Sequence, residues 1–204
     1  SLEELDANNN EIKTVDLSKN SLLQVLNLGA NQLTKLEIDE LSLLKNLDVS
    51  KNKINNLNLD NNILLERVSL FDNELTSLDL SNNRNLKVLD LKINKIQGLR
   101  MGEKPFLSVL DVSYNELLSI DLETSLNLVK LNLESNSLGG ELDLSKHKGI
   151  TKLNLRSNLL EKIQIKNYMN LRLATSNFNV LNNASLNCIV VDDIFFSVLN
   201  WKYV

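Results

Sequence analysis

The segment Leu44-Lys45-Asn46-Leu47-Asp48-Val49-Ser50-Lys51-Asn52 is apolar at its first, fourth and sixth places and ends on an asparagine at its ninth. Two residues later Ile54, Leu57 and Leu59 repeat the same apolar spacing. Alternation of inward and outward residues over so short a run is the signature of a strand with one buried face. The asparagine suits the corner that ends it, because Asn tolerates turn conformations and its amide both donates and accepts hydrogen bonds.

Outward from that segment the frame holds in both directions. The leading apolar residue falls at Leu2, Leu23, Leu44, Leu65, Leu86, Leu107, Leu128, Ile150 and Leu171, at a spacing of 21 with one interval of 22. The extra residue lies in Leu138-Gly139-Gly140-Glu141-Leu142, where paired glycines mark a bulge or wider turn. The ninth place holds Asn10, Asn31, Asn52, Asn73, Asn94, Asn115, Asn136, Asn158 and Asn179. The second halves read alike: Ile12, Val15, Leu17; Leu33, Leu36, Ile38; Leu75, Leu78, Leu80. Each unit is therefore two near-copies, and a half-unit that must also turn twice leaves no room for a helix. The expectation is an all-β-rich solenoid of nine coils, with two parallel strand faces, weak curvature and little helix. A single coil cannot bury enough apolar surface to offset the ordering of its own chain, so stability comes from stacking. Composition agrees, with 46 Leu and 32 Asn among 204 residues against one Pro and six Gly.

These residues carry the leucine-rich-repeat signature, and the chain resembles the 21-residue, nested-periodicity class of bacterial leucine-rich repeats. The resemblance implies a secreted or cell-surface bacterial protein that recognises a protein or polysaccharide without catalysis. At the end, Cys188-Ile189-Val190-Val191-Asp192-Asp193 followed by Trp201 is similar to the tail of flavobacterial-type members of the class. In those a second cysteine commonly follows the tryptophan. None follows here, and a free, buried thiol beneath an apolar cap with Phe195, Phe196, Trp201 and Tyr203 is the simpler reading. Residues 1–186 are thus expected to form the solenoid and 187–204 its cap, with Phe178 at the junction. The first coil starts without a comparable cap, so either further repeats upstream or an end-to-end contact is expected to cover it.

Little catalytic chemistry is on offer. A net charge of −4 lacks the basic excess of a nucleic-acid footprint. No apolar run approaches the ~20 residues that span a bilayer. One His and one Cys are too few for a nucleophilic dyad or a zinc site, and no metal, cofactor or enzymatic activity is expected. His147 falls in a second-half turn and reads as a solvated residue. Asp90 and Asp111 share an outward column on adjacent coils, a spacing that could hold calcium or pair an acid with a base. The plainer alternative is a solvated column in which each Asp bonds the polar residues that follow it.

One surface signal remains. Outward places in the first halves are mostly Lys, Glu, Ser or Asn, but the fourth to sixth copies present Phe71, Val88, Ile93, Val109 and Tyr114, flanked by Arg67, Lys92, Asp90 and Asp111. Apolar residues ringed by charge are what contact surfaces use. β-Branched and aromatic residues that merely help strand pairing would look the same. The two functional readings are therefore a recognition module that binds on this face and a structural spacer within a larger adhesin.

Overall fold

The computed structural model describes residues 2–168, 173 and 175–194. Leu171 and the expected cap aromatics Phe195, Phe196, Trp201 and Tyr203 lie outside them.

The first halves of the units build one nine-stranded parallel sheet. Its strands are Glu4–Asp6, Val25–Asn27, Asn46–Asp48, Arg67–Ser69, Val88–Asp90, Val109–Asp111, Lys130–Asn132, Lys152–Asn154 and Phe178–Asn179, stacked in chain order over about eight turns. The middle residue of each strand points inward and its two neighbours outward, as the alternation requires. The fourth coil shows the filling: Leu65, Val68, Leu70, Leu75, Leu78 and Leu80 are all buried, and each coil's set packs on the next to give one continuous core.

The second halves are parallel too, but their ladder is interrupted. Ser77–Asp79 pairs with Gly98–Arg100, and Gly139–Asp143, Leu159–Gln164 and Cys188–Val190 form a three-stranded sheet. The inserted residue at Gly140 appears as a register shift between Gly140 and Glu141, with Gly140 at φ 65°. Among the described residues helix is confined to a 3₁₀ turn at Thr175–Asn177 and to Ile194.

Three expectations need correction. Phe178 pairs with Leu153, so the last strand follows its neighbour by 25 residues instead of 21. The ninth rung is accordingly Asn183, not Asn179: Asn183 donates to Leu155 O at 3.0 Å and Val180 O at 2.8 Å, while Asn179 sits outward on the strand beside Asn154. The four additional residues fall between Asn167 and Phe178 in the sequence, and Phe178 is core, not junction. Cys188 is free but exposed, on the strand that closes the three-stranded sheet, within the segment read as cap.

The third correction concerns His147, which is 3% exposed and not solvated. It belongs to a second polar ladder, at the turn that ends each second half: Asn20, Leu41, Asn62, Asn83, Lys104, Ser125, His147 and Asn167. The backbone makes this turn unaided. In most copies the slot's N–H bonds the carbonyl three residues earlier, as Asn62 does to Leu59, and its carbonyl receives the next leading residue, as Asn62 receives Leu65. Where the side chain is Asn62, Asn83, Lys104 or His147 it then reaches back to the coil before, and Asn62 and Asn83 each meet a second carbonyl there, of Leu41 and Asn62 respectively. Asn62 reaches Ile38 O at 3.0 Å, Asn83 reaches Leu59 O at 3.0 Å, Lys104 reaches Leu80 O at 2.8 Å, and His147 Nε2 reaches Leu122 O at 3.1 Å. Asn62 Oδ1 and Asn83 Oδ1 have no hydrogen-bond partner. The slot accepts a donor without needing an acceptor, and Lys and His supply one; Leu41 and Ser125, whose Oγ has no partner, fill it without that bond.

Candidate recognition face

The asparagine rungs set the floor of this face. Asn115 is buried; its Nδ2 donates to the carbonyls of Leu91, Val112 and Ser113 at 3.0, 3.1 and 3.2 Å, and its Oδ1 accepts the Ile96 N–H at 2.9 Å. Asn31, Asn52, Asn73, Asn94, Asn136 and Asn158 repeat the arrangement, Asn94 and Asn136 half-buried and the others buried. Asn10, on the first coil, is exposed and bonds only Ala7 O and Asn8 O among the described residues.

The outward residue at the end of each strand is Asp or Asn, except for Ser69, and each such Asp or Asn is committed locally. Its Oδ1 accepts the N–H two residues on: Asp48 from Ser50 at 2.9 Å, Asp90 from Lys92 at 3.1 Å, Asp111 from Ser113 at 3.0 Å, Asn154 from Arg156 at 3.2 Å. These are Asx turns, which hand the chain from strand to corner. Asp90 and Asp111 are register partners. Burial pushes the Asp90 carboxyl above its usual range and Asp111 adds to that, while the Lys92 amide and ammonium, the latter 3.5 Å away, pull the other way. Asp111 Oδ2 is occupied by Asn132 Nδ2 at 2.9 Å. Among the described residues no group of three or more His, Cys, Asp or Glu side chains is placed to hold a metal ion.

After that Asx residue each corner passes through a left-handed backbone. Asn9, Ala30, Lys51, Asp72, Ile93, Tyr114, Ser135, Ser157 and Asn182 all have φ between 52° and 60°. Most are small or polar, as this region favours. Ile93 and Tyr114 are not, and they stand 45% and 52% exposed. Phe71, one place earlier in its coil, does not point freely to solvent as the sequence suggested. It is half-buried, with Lys92 Nζ 4.4 Å and Lys51 Nζ 5.6 Å from the ring centre. A cation over each part of an aromatic face is an attractive arrangement in its own right.

The expected patch therefore divides. Val88 and Val109 are register partners at the start of their strands, with Arg67 on the preceding coil. Phe71, Lys92, Ile93 and Tyr114 lie at the corner end, ~13 Å along the strand direction, and the Asp90–Asp111 column runs between. The strand-start column and the Asx column are the two walls of a shallow groove that crosses the strands from Val25 to Lys152. It comprises a depression of 390 Å³ that takes in Val25, Arg67, Val88 and Asp90, and another of 170 Å³ over Val109, Asp111, Lys130, Asn132, Lys152 and Asn154. The sequence reading missed Lys130 and Lys152. They look like ordinary solvated lysines until the register places them side by side.

No protein-family model matches the chain, and no curated protein matches it. Solved structures do. The functional domain of InlJ from Listeria monocytogenes, described as including a cysteine ladder, superposes with a TM-score of 0.75 at 26% identity, over 93% of this chain and 48% of that one. A leucine-rich-repeat protein of Leptospira interrogans gives 0.71 at 22% identity, over 93% and 60%. The chain has the leucine-rich-repeat fold. This leucine-rich-repeat chain spans 48% and 60% of the lengths of those two bacterial proteins. A plant peptide hormone receptor, RGFR1 in complex with RGF2, has the same fold with a TM-score of 0.74 at 21% identity, over 93% of this chain and 32% of the receptor. Among the described residues no helix is long and apolar enough to cross a membrane.

Proposed function

We propose that this leucine-rich-repeat chain is a non-catalytic recognition module of a secreted or cell-surface bacterial protein, and that it holds a protein or peptide segment across its nine-stranded face, from the groove to the corner residues Ile93 and Tyr114 beside it. The observation that carries the reading is Ile93. A β-branched residue in left-handed backbone costs about 1 kcal/mol or more, and this one is 45% exposed. An exposed apolar side chain kept at that cost, next to Tyr114 on the following coil, has the makings of a contact residue. Arg67, Val88, Val109, Lys92, Asp90 and Asp111 supply the mixed polar and apolar rim that such contacts use. The structural neighbours, one of them a receptor solved with its peptide hormone, make peptide or protein the favoured ligand over polysaccharide.

An array of surface-protein fragments and oligosaccharides, probed with the whole chain, tests the reading. The double variant Ile93→Asn, Tyr114→Ala should lose binding by about 30-fold, the loss expected of interface anchors worth ~2 kcal/mol. It should also unfold at higher urea, by up to ~1 kcal/mol, since Asn accepts the left-handed conformation. Lys13→Ala with Lys35→Ala, away from this face, should change neither. Unaltered binding by the first double variant would move the spacer reading ahead.

A further inference from the structure

We propose that Lys130 and Lys152 form an anion subsite within the groove, and that the bound segment is an extended acidic peptide with an Asp or Glu side chain over the lysines and an aliphatic side chain over Val88 and Val109. This rests on the groove being the recognition surface.

The two lysines are register partners on adjacent strands, both exposed. Their Cβ atoms stand ~5 Å apart, a spacing at which like charges destabilise a sheet. Three other lysines that face the coil before them meet an acid, Lys87 with Glu66 at 2.7 Å, Lys95 with Glu74 at 3.1 Å and Lys162 with Glu141 at 3.2 Å, and Lys45 meets the neutral amide of Gln24 at 2.9 Å. At Lys130 and Lys152 cation meets cation, and neither makes an ion pair among the described residues.

The nearby carboxylates are engaged elsewhere. Asp111 accepts from Ser113 N–H at 3.0 Å, Ser113 Oγ at 2.6 Å and Asn132 Nδ2 at 2.9 Å, and Glu134 accepts from Asn154 Nδ2 at 2.8 Å. Directly opposite the lysines stands the amide pair Asn132 and Asn154, and Asp111 is the next residue along that wall, one rung nearer the valines. On the lysine side the successive register partners are Val88, Val109, Lys130 and Lys152. Two apolar rungs are thus followed by two cationic ones. The centres of the pairs lie two rungs apart, ~9.6 Å, which an extended chain covers in about three residues. The valines offer no hydrogen bond to sugar hydroxyls but fit an aliphatic side chain, so an acidic peptide suits the surface better than an acidic polysaccharide.

The test pans a phage-displayed library of random linear peptides, each about nine residues long to span the groove, on the whole protein. Selected peptides should carry Asp or Glu two or three places from Val, Ile or Leu. A synthetic copy of the strongest should bind about 30-fold more weakly to Lys130→Glu, Lys152→Glu. Its affinity for the wild type should fall as salt is raised, and that slope should flatten in the variant. Lys130→Glu alone should also raise the melting temperature of the free protein by about 1 °C, since a like pair becomes an opposite one. Peptides that need Val88 and Val109 but show no acidic preference would overturn the subsite and leave the groove reading standing. Panning that enriches nothing would overturn both, and an acidic oligosaccharide that binds through the lysines without competition from any peptide would replace the peptide proposal.

Discussion

At the scale of single residues, the chain has two ladders with different demands. A first-half rung such as Asn115 must donate to carbonyls of its own and the preceding coil and accept the Ile96 N–H. Only Asn has the length, the donors and the acceptor together. Asn115→Leu should cost at least ~3 kcal/mol, since it strands several buried groups at ~1–3 kcal/mol each. The second-half slot makes no use of an acceptor, and Asn83→His should cost less than ~1 kcal/mol because His147 already fills the equivalent place and donates there. Urea denaturation of the two variants side by side checks the contrast. His147 also carries a pH signature. Burial, its dominant influence, lowers its pKa, against the Leu122 carbonyl and the Asp143 charge; Lys146 lowers it a little further. The folded state then takes up a proton less readily than the unfolded one. Its contribution to stability is complete above the unfolded value near 6.5 and drains away as pH falls from there towards the lowered folded value. Stability measured across that window should fall in the wild type as pH is lowered, and the fall should be smaller in His147→Asn.

At the scale of strands and turns, the nine-stranded face was readable because one demand recurs from coil to coil: apolar inward, mostly polar outward, asparagine at the corner. The second ladder was not, because Asn, Leu, Lys, Ser and His share no likeness a self-alignment can see. What they occupy in common is a turn already closed by its backbone. The last repeat misled for another reason. A continued 21-residue frame puts Ala174 and Ser176 at inward places, yet it lands on an asparagine at 179 and so looks intact. Shifting by four brings Phe178 and Val180 inward and Asn183 to the corner, and the larger apolar pair decides where the chain settles. The patch residues were legible as exceptions to a polar face. That Phe71 lies between two lysines was not, because Lys51 and Lys92 belong to other coils.

At the scale of the whole molecule, the groove owes its existence to repetition: identical rungs set side chains in straight columns, and a departure in one column becomes a local site. The side chains of the rung asparagines from Asn31 to Asn158 also reach only their own coil and the one before it, never the one after, while the backbone N–H groups of those from Asn31 to Asn136 make the ordinary ladder bond to the next coil. Asn94, for instance, grips Leu70 O and the Leu75 N–H of the fourth coil besides carbonyls of its own. The solenoid is in this respect a row of one-way latches, each fastened from its C-terminal neighbour. Disabling a latch loosens the seam on its N-terminal side and leaves the seam on its C-terminal side fastened. Asn94→Leu should therefore become sensitive to limited proteolysis between residues 70 and 94, with the stretch from 95 to 115 still protected, and mass spectrometry of the fragments would show on which side of the fifth coil the molecule comes apart.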